Sequence, residues 1–498
     1  MKEPVKLVLA ALISLVVSTI VIAGIRVPVI GVGYELYSAW RNETGLQVDL
    51  NSSAVLYRQV VALALFLLVI SFTVISPKYR YYMAFLSIAV LAITAIVPHS
   101  ELVKSVDWRL ILFLAGSMTL AYIFRSLHVF EFMLVELIRF TGGSFRLLVL
   151  ILMFIAWFLA LVLDEATNIV YVVMFVLELV KLGVRDVKPL IILSVLATNT
   201  GSMALPVGNP IGIYLAFTAK LPVSEFLTKA LPLSAILLLL LAGLSLVLFK
   251  KYFDRCDAEL SARATGVFVA HMKSKFVLPP RKLYIGILYM IVFLVLVASV
   301  DWLARSLSTL VESEVDAHTL LAFIPYLVIA LTPITYDPEE LERAILRGVE
   351  WPSLLFFVAL FMLGDALKYT GVAYKLAYAV SQLAGCVVAR TAITLLVFSA
   401  LLSAFLDNLS IIVALTPVAK AYLTITGIDV FYWTLLYGGV VGGNFTPVGS
   451  TANIVAWSLA ERRRVKVSWG LWLKMSLVIT VVQLLVALIF VILVLRVI

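Results

Sequence analysis

The chain has 498 residues, of which 63% are hydrophobic and only 13% charged. That is too little charge to cover a soluble protein of this size, so the sequence belongs in lipid. The formal net charge of +9 reads as loop bias and not as a nucleic-acid footprint, because Lys and Arg cluster between apolar runs. Cys256 and Cys386 show no metal spacing and cannot form a disulfide framework, and His99, His128, His271 and His318 are scattered. No cofactor is expected beyond a coupling ion, sodium or proton.

The first apolar run, roughly Val5 to Ile25, follows Lys2 and Lys6. About 20 apolar residues is span length and longer than a signal-peptide core, so a retained helix is expected. The same template, about 20 residues for each crossing of a hydrocarbon core about 30 Å thick, places further spans near 53–76, 81–98, 108–126, 186–218, 228–250, 283–304, 319–335, 351–370, 430–458 and 470–496. Two apolar stretches, 144–181 and 390–426, carry acid and amide residues at their middle. A polar centre is expensive in lipid unless it faces protein or water. Both stretches are therefore read as re-entrant hairpins, tipped by Asp164-Glu165-Ala166-Thr167-Asn168 and by Asp407-Asn408-Leu409-Ser410. The alternative is an ordinary span ending at each Asp, with a second span after it. Hairpins leave five spans per half.

The halves also share their landmarks. Val106-Asp107-Trp108, Asp164-Glu165 and Pro206-Val207-Gly208-Asn209 return as Val349-Glu350-Trp351, Asp407-Asn408 and Pro447-Val448-Gly449-Ser450. Trp108 and Asp164 recur as Trp351 and Asp407, each 243 positions on, and the loops slip by two. Repeats that interrupt hydrophobic segments at matching places point to a transporter's binding site. Five being odd, the second repeat enters the membrane inverted. The expected fold is an all-α polytopic membrane protein: two inverted repeats of five transmembrane helices plus a re-entrant hairpin each, with one extra N-terminal helix. The expected domains are 1–50 (N-terminal helix and loop), 51–252 (first repeat), 253–280 (a cytoplasmic linker) and 281–498 (second repeat). Lys78, Arg80, Lys181, Arg185, Lys188, the Lys250 to Lys282 segment and Arg462-Arg463-Arg464 fall on one side. That places the N-terminus in the cytoplasm and the C-terminus outside a plasma membrane, with Lys368, Lys375 and Arg390 against the count.

An ionised carboxylate inside a bilayer costs several kcal/mol by insertion scales, so such an acid is neutral, paired or holding a cation. Asp164 and Asp407 occupy the same place in the two repeats and are candidate sites for a proton or for sodium, which also takes oxygen ligands. The plainer reading of one isolated Asp is a helix-end acid reaching for an interface, and the matched pair argues against it. The loops supply the other half. Thr198-Asn199-Thr200-Gly201-Ser202 runs into Pro206-Val207-Gly208-Asn209-Pro210, and Gly442-Gly443-Asn444-Phe445-Thr446 runs into Pro447-Val448-Gly449-Ser450-Thr451-Ala452-Asn453. Gly and Pro there break a helix in mid-membrane, freeing carbonyls for a cation and N–H groups for an anion. A kinked helix with Gly at a packing contact is the common alternative. The candidate substrate- and ion-binding residues are Asp164, Glu165, Thr167, Asn168, Thr198, Asn199, Thr200, Gly201, Gly208, Asn209, Asp407, Asn408, Ser410, Gly443, Asn444, Thr446, Gly449, Ser450, Thr451 and Asn453. Asp365, alone in an apolar helix one turn before Lys368, is divided between packing with that Lys and a proton path.

Ser403-Ala404-Phe405-Leu406-Asp407-Asn408 and the run from Gly442 to Asn453 resemble the second-half signatures of the ion transporter superfamily. Thr198-Asn199-Thr200-Gly201-Ser202 resembles its first-half Ser-Asn-x-Gly-Gly motif, with Thr198 and Ser202 as substitutions. The likeness is to the branch of arsenite-efflux and melanosomal P-protein permeases, with citrate-transporter-like domains and sodium/proton antiporters nearby. It implies eleven spans, two hairpins, a scaffold part and a moving part, an elevator-like motion and often a homodimer. Divalent-anion/sodium symporters of the superfamily carry Ser-Asn-Thr at the hairpin tips, where Asn and Thr hold carboxylate. Asp164-Glu165-Ala166 and Asp407-Asn408-Leu409 depart from that, and an Asp would repel a dianion unless protonated or cation-bound. Glu165 stands where the P-protein branch usually has Asn, and two adjacent acids cannot both ionise cheaply.

The expected function is a secondary active transporter moving a small anion or its neutral acid, arsenite-, antimonite- or carboxylate-like, coupled to protons or sodium by alternating access. A sodium/proton antiporter is the alternative. An intramembrane aspartyl protease built on Asp365 and Asp407 is remote, because Met362-Leu363-Gly364-Asp365 lacks the first Gly of a Gly-x-Gly-Asp motif. No enzyme activity is expected. The expected partners are a small ion, the lipid bilayer and a second copy of the chain, with no nucleic acid.

Overall fold

The computed structural model describes residues 3–46, 48–75, 79–127, 129, 132, 144–182, 184, 186–259, 280–332, 337–384, 387–406 and 408–494. Among them every regular element is helical. The first half runs through α1 (Glu3–Gly24), α2 (Gly31–Thr44), α3 (Ser53–Ile75), α4 (Arg80–Thr94), α5 (His99–Lys104) and α6 (Trp108–Ser126). Then come α7 (Phe145–Leu159) and α8 (Glu165–Glu178), the limbs of the first expected hairpin, and α9 (Lys188–Ser202), α10 (Pro210–Thr218), α11 (Leu231–Leu248) and α12 (Lys250–Glu259). The second half has α13 (Pro280–Ala298), α14 (Val300–Val311), α15 (Ala317–Ala330), α16 (Pro338–Gly348), α17 (Trp351–Tyr369) and α18 (Val372–Ala384). It continues with α19 (Val388–Ser403) and α20 (Asn408–Thr426), the limbs of the second, and ends with α21 (Val430–Gly442), α22 (Thr451–Arg462) and α23 (Trp469–Val494).

The chain is an all-α polytopic membrane protein. Among the described residues, seven helical stretches are long and apolar enough to cross a membrane, or eight if the bent pair α18–α19 is one span. The eleven implied by the resemblance are not met as continuous helices. The spans expected at 186–218 and 430–458 are each broken in two, and α4 and α15 have only 15 and 14 residues. The span expected near 283–304 ends at Ala298. There the Ser299 hydroxyl donates to the Val295 carbonyl at 2.6 Å, and Asp301 and Arg305 follow, which hydrocarbon does not accept. The expected linker begins as helix α12, whose Asp257 accepts the Phe145 N–H at 2.7 Å at the start of α7. Its remainder, 260–279, lies outside the described residues.

Packing divides the chain into two units that interleave along the sequence, each drawing on both halves. Unit 1 is Met1–Trp108, Trp351–Gly442 and Leu488–Ile498; unit 2 is Arg109–Glu350 and Gly443–Ala487. In unit 1, α19 lies along α21 so closely that a Cβ on Gly442 would sit 2.3 Å from the Ala400 carbonyl oxygen. In unit 2, α7 lies along α9 in the same way, and a Cβ on Gly201 would sit 2.3 Å from the Trp157 carbonyl oxygen. Helices in lipid associate by close van der Waals contact, so small residues gather at such crossings. The amphipathic α2 is seated on unit 1 by Trp40, which is fully buried and donates its indole N–H to the Tyr369 carbonyl at 3.0 Å. The turn beyond Tyr369 requires Gly371 at φ +86, with Leu50 in the space a Cβ would fill.

Candidate functional site

Each broken helix restarts with the same device. Asn209 and Ser450, 241 positions apart, open α10 and α22 in nearly the same backbone state (φ −154, ψ 161 and φ −143, ψ 162). Each side chain accepts the N–H three residues on, Gly212 at 2.6 Å and Asn453 at 3.3 Å. This is N-capping, supplied by the residue types that do it best. The carbonyls that α9 leaves open at its end are met by hydroxyls. Asn199 O accepts from Ser202 at 2.9 Å, and Thr200 O accepts from Ser234 at 2.6 Å, whose oxygen takes the Trp157 N–H at 2.7 Å. In a buried, apolar setting an unmet carbonyl costs several kcal/mol, which is why these small polar residues stand inside apolar helices.

Four side-chain amides in unit 2 then close on one another. Asn199 Nδ2 donates to Asn444 Oδ1 at 2.8 Å and to Asn453 Oδ1 at 2.9 Å. Asn453 Nδ2 donates to the Gly443 and Thr446 carbonyls, both at 2.7 Å, and so holds the second loop in its folded-back shape. Gly449 N–H returns to Thr446 O at 3.3 Å. The Ser450 hydroxyl lies 2.6 Å from Asn453 Oδ1 and 3.1 Å from Asn199 Oδ1, and its single proton serves one of them at a time. Asn444 Nδ2 donates to Gln483 Oε1 at 3.3 Å, and Gln483 Nε2 donates to Thr200 Oγ1 and Leu237 O, both at 3.2 Å. Asn199, Asn444, Asn453 and Gln483 are all fully buried. The last turn of α9 and the loop after α21 are thus one polar assembly. Gly208 completes it, because a Cβ there would lie 2.4 Å from Ser202 O and 2.5 Å from Ala160 O.

The acidic tip meets this assembly. Asp164 caps α8, its Oδ1 accepting the Ala166 and Thr167 N–H groups at 3.1 Å each. Glu165 is 1% exposed, and its Oε2 lies 3.4 Å from the Ser202 hydroxyl, whose single proton serves either this oxygen or Asn199 O. The Ser202 oxygen in turn accepts from Asn209 Nδ2 at 2.9 Å, so a chain of polar contacts runs from the acid to the cap of α10. Asn168 Nδ2 donates to Ala156 O at 2.7 Å and to Thr198 Oγ1 at 3.2 Å. Its Oδ1 is buried and takes no hydrogen bond among the described residues.

Of the residues expected from sequence, Asp164, Glu165, Thr167, Asn168, Thr198, Asn199, Thr200, Gly201, Gly208, Asn209, Gly443, Asn444, Thr446, Gly449, Ser450, Thr451 and Asn453 belong to unit 2. Asn408 and Ser410 belong to unit 1, where both are buried and Asn408 Oδ1 accepts the Leu409 N–H at 2.9 Å. Asp407 lies outside the described residues. Asp365 pairs with Lys368 at 2.8 Å, and Lys368 lies 3.5 Å from Glu43 on α2. Among the described residues no three His, Cys, Asp or Glu are grouped to hold a metal. Sequence reasoning missed Gln483 and Ser234. The signal for Gln483 was present: a lone amide in the apolar run Trp469–Leu493, which lipid tolerates only when partnered.

Matched helix breaks lined by buried polar side chains in a polytopic helical protein are the pattern of a membrane transporter's binding site. The profile of a family described as citrate transporter matches residues 52–438. A "46 kDa membrane protein" of Mycobacterium leprae is 27% identical over 85% of this chain and 96% of its own length. "Uncharacterized transporter slr0753" of Synechocystis is 25% identical over 82% of this chain and 91% of its own. The human "P protein" is 23% identical over 76% of this chain and 52% of its own. The chain belongs to the citrate transporter family.

Proposed function

We propose that the protein is a secondary active transporter of a small carboxylate or oxyanion, with a citrate-like acid the first candidate, coupled to a proton or sodium ion held at Asp164 and Glu165. The contact chain Glu165–Ser202–Asn209 carries this reading. The Ser202 hydroxyl has one proton to give, to Glu165 Oε2 at 3.4 Å or to Asn199 O at 2.9 Å; an ionised Glu165 draws it, whereas a protonated or cation-bound one leaves it to Asn199. Loading the acid therefore alters the polar environment of Asn209, the cap at the N-terminus of α10. Helix N-termini with open N–H groups are where anions settle, so the cation state of the tip and the anion affinity of the loop are linked. The linkage gives coupling without requiring the cargo to touch the acid. Binding both ions before reorientation is what alternating access needs.

The test is flux in proteoliposomes against arsenite, citrate, succinate, sulfate and sodium, with imposed proton or sodium gradients. Gradient-driven uptake of one of the anions is expected. Sodium/proton exchange that proceeds at full rate with no anion present would replace this reading with the antiporter.

A further inference from the structure

Gln483 has no counterpart in the first-half loop motif and stands inside the apolar helix α23, beyond the stretch matched by the family profile. Its bonds have a direction. Leu237 O is a backbone carbonyl and can only accept, and the Thr200 hydroxyl has already given its proton to Leu196 O at 2.7 Å. Both groups therefore require the nitrogen of Gln483, which leaves Oε1 facing Asn444. Asn444 must then offer Nδ2 to Gln483 and Oδ1 to Asn199; turned over, it would set nitrogen against nitrogen at Asn199 and oxygen against oxygen at Gln483. Asn199 in turn gives both its protons to Asn444 and Asn453 and keeps Oδ1 for Ser450. From the other end, the Gly443 and Thr446 carbonyls fix Asn453 in the matching sense.

We infer that Gln483 is a positioning residue for the transport site: it sets the amide orientation of Asn444, and through it of Asn199, so that the end of α9 and the loop after α21 present one hydrogen-bonding face to the cargo. The inference rests on the proposed function, in which the broken-helix region holds the anion. Gluing α23 to α11 would need only the bond to Leu237 O. The two further bonds, one to the end of α9 and one to the loop after α21, are what an orienting role adds.

The experiment uses the full chain in proteoliposomes with citrate as the probe, and thermal unfolding of each variant alongside. Gln483→Met keeps the length and volume of the side chain without its polar atoms, and Thr200→Val removes the same contact from the other side. Gln483→Met is expected to raise KM for citrate about tenfold, with the maximal rate within about threefold of wild type, as for loss of oriented hydrogen bonds in binding. The double variant should shift KM less than the two single effects combined, because the sites share a bond. Asn453→Ala serves as the control on the loop site itself. Wild-type KM in Gln483→Met with an impaired Asn453→Ala overturns the positioning role and leaves the functional reading standing. A wild-type-like Asn453→Ala removes the functional reading, and the role of Gln483 with it. If Gln483→Met is not recovered folded, wild-type KM in Thr200→Val overturns the proposal and a raised KM supports it.

Discussion

The Asn199 amide donates to Asn444 Oδ1 at 2.8 Å, joining two residues that sit 245 positions apart at equivalent broken helices. Replacing Asn199 with Ala strips Asn444 Oδ1 of its donor in a fully buried place, while Asn453 Oδ1 keeps the Ser450 hydroxyl at 2.6 Å. A buried acceptor left unmet costs about 1–3 kcal/mol. Asn199→Ala is expected to lower the unfolding temperature and abolish flux. Asn444→Ala added to it should cost less than the sum of the single losses, read as a coupling energy in a double-mutant cycle on thermal unfolding.

Gly201 and Gly442 make the same prediction from different units. In each case a Cβ would lie 2.3 Å from a carbonyl oxygen of the neighbouring helix, Trp157 for the one and Ala400 for the other. Neither helix backbone can give way without losing its own bonds, so Gly201→Ala and Gly442→Ala should each destabilise by about 1–3 kcal/mol, the usual cost of overpacking. Gly243, on α11, has nothing within 4 Å of its would-be Cβ. Gly243→Ala should be neutral or stabilising, by up to about 1 kcal/mol from helix propensity. Thermal unfolding in one detergent compares the three.

Acid sensitivity has a named contributor at Asp316, which opens α15 outside the apolar core. Burial pushes its carboxyl up, but the Thr319 hydroxyl and N–H and the neighbouring His318 outweigh it and hold the group at about 2. Arg109 pairs with it at 2.8 Å. A folded pKa below the unfolded one stabilises fully above the ordinary carboxylate value and is lost as pH falls through the folded one. Asp316→Asn should therefore unfold at a lower temperature than wild type near neutral pH, with the gap closing between about pH 4 and about pH 2. The gap is modest, because the side chain is 46% exposed and screened by solvent.

Much of this was legible beforehand. Pro206, Pro210 and Pro447 with their glycines located both helix breaks, because Pro removes a donor and Gly relaxes the backbone. Asp164 is expected from the sequence at a hairpin tip and lies between α7 and α8; its role as cap of α8 depends on the turn geometry that only the fold displays. What the sequence hid was long-range. Nothing in the spacing of Asn199, Asn444 and Gln483 says that their amides interlock, since hydrophobic periodicity reports which face is buried and not which polar groups meet. The break after Ala298 escaped notice because Asp301 and Arg305 follow an uninterrupted apolar run.

The most direct test compares wild type with Glu165→Gln for gradient-driven citrate accumulation in proteoliposomes. The substitution keeps the shape and the acceptor facing Ser202 but removes the ionisable carboxylate to which the proposal assigns the cation. The account predicts that wild type accumulates citrate under an imposed proton or sodium gradient, while Glu165→Gln folds normally and only equilibrates it. Accumulation by Glu165→Gln at the wild-type level would contradict it.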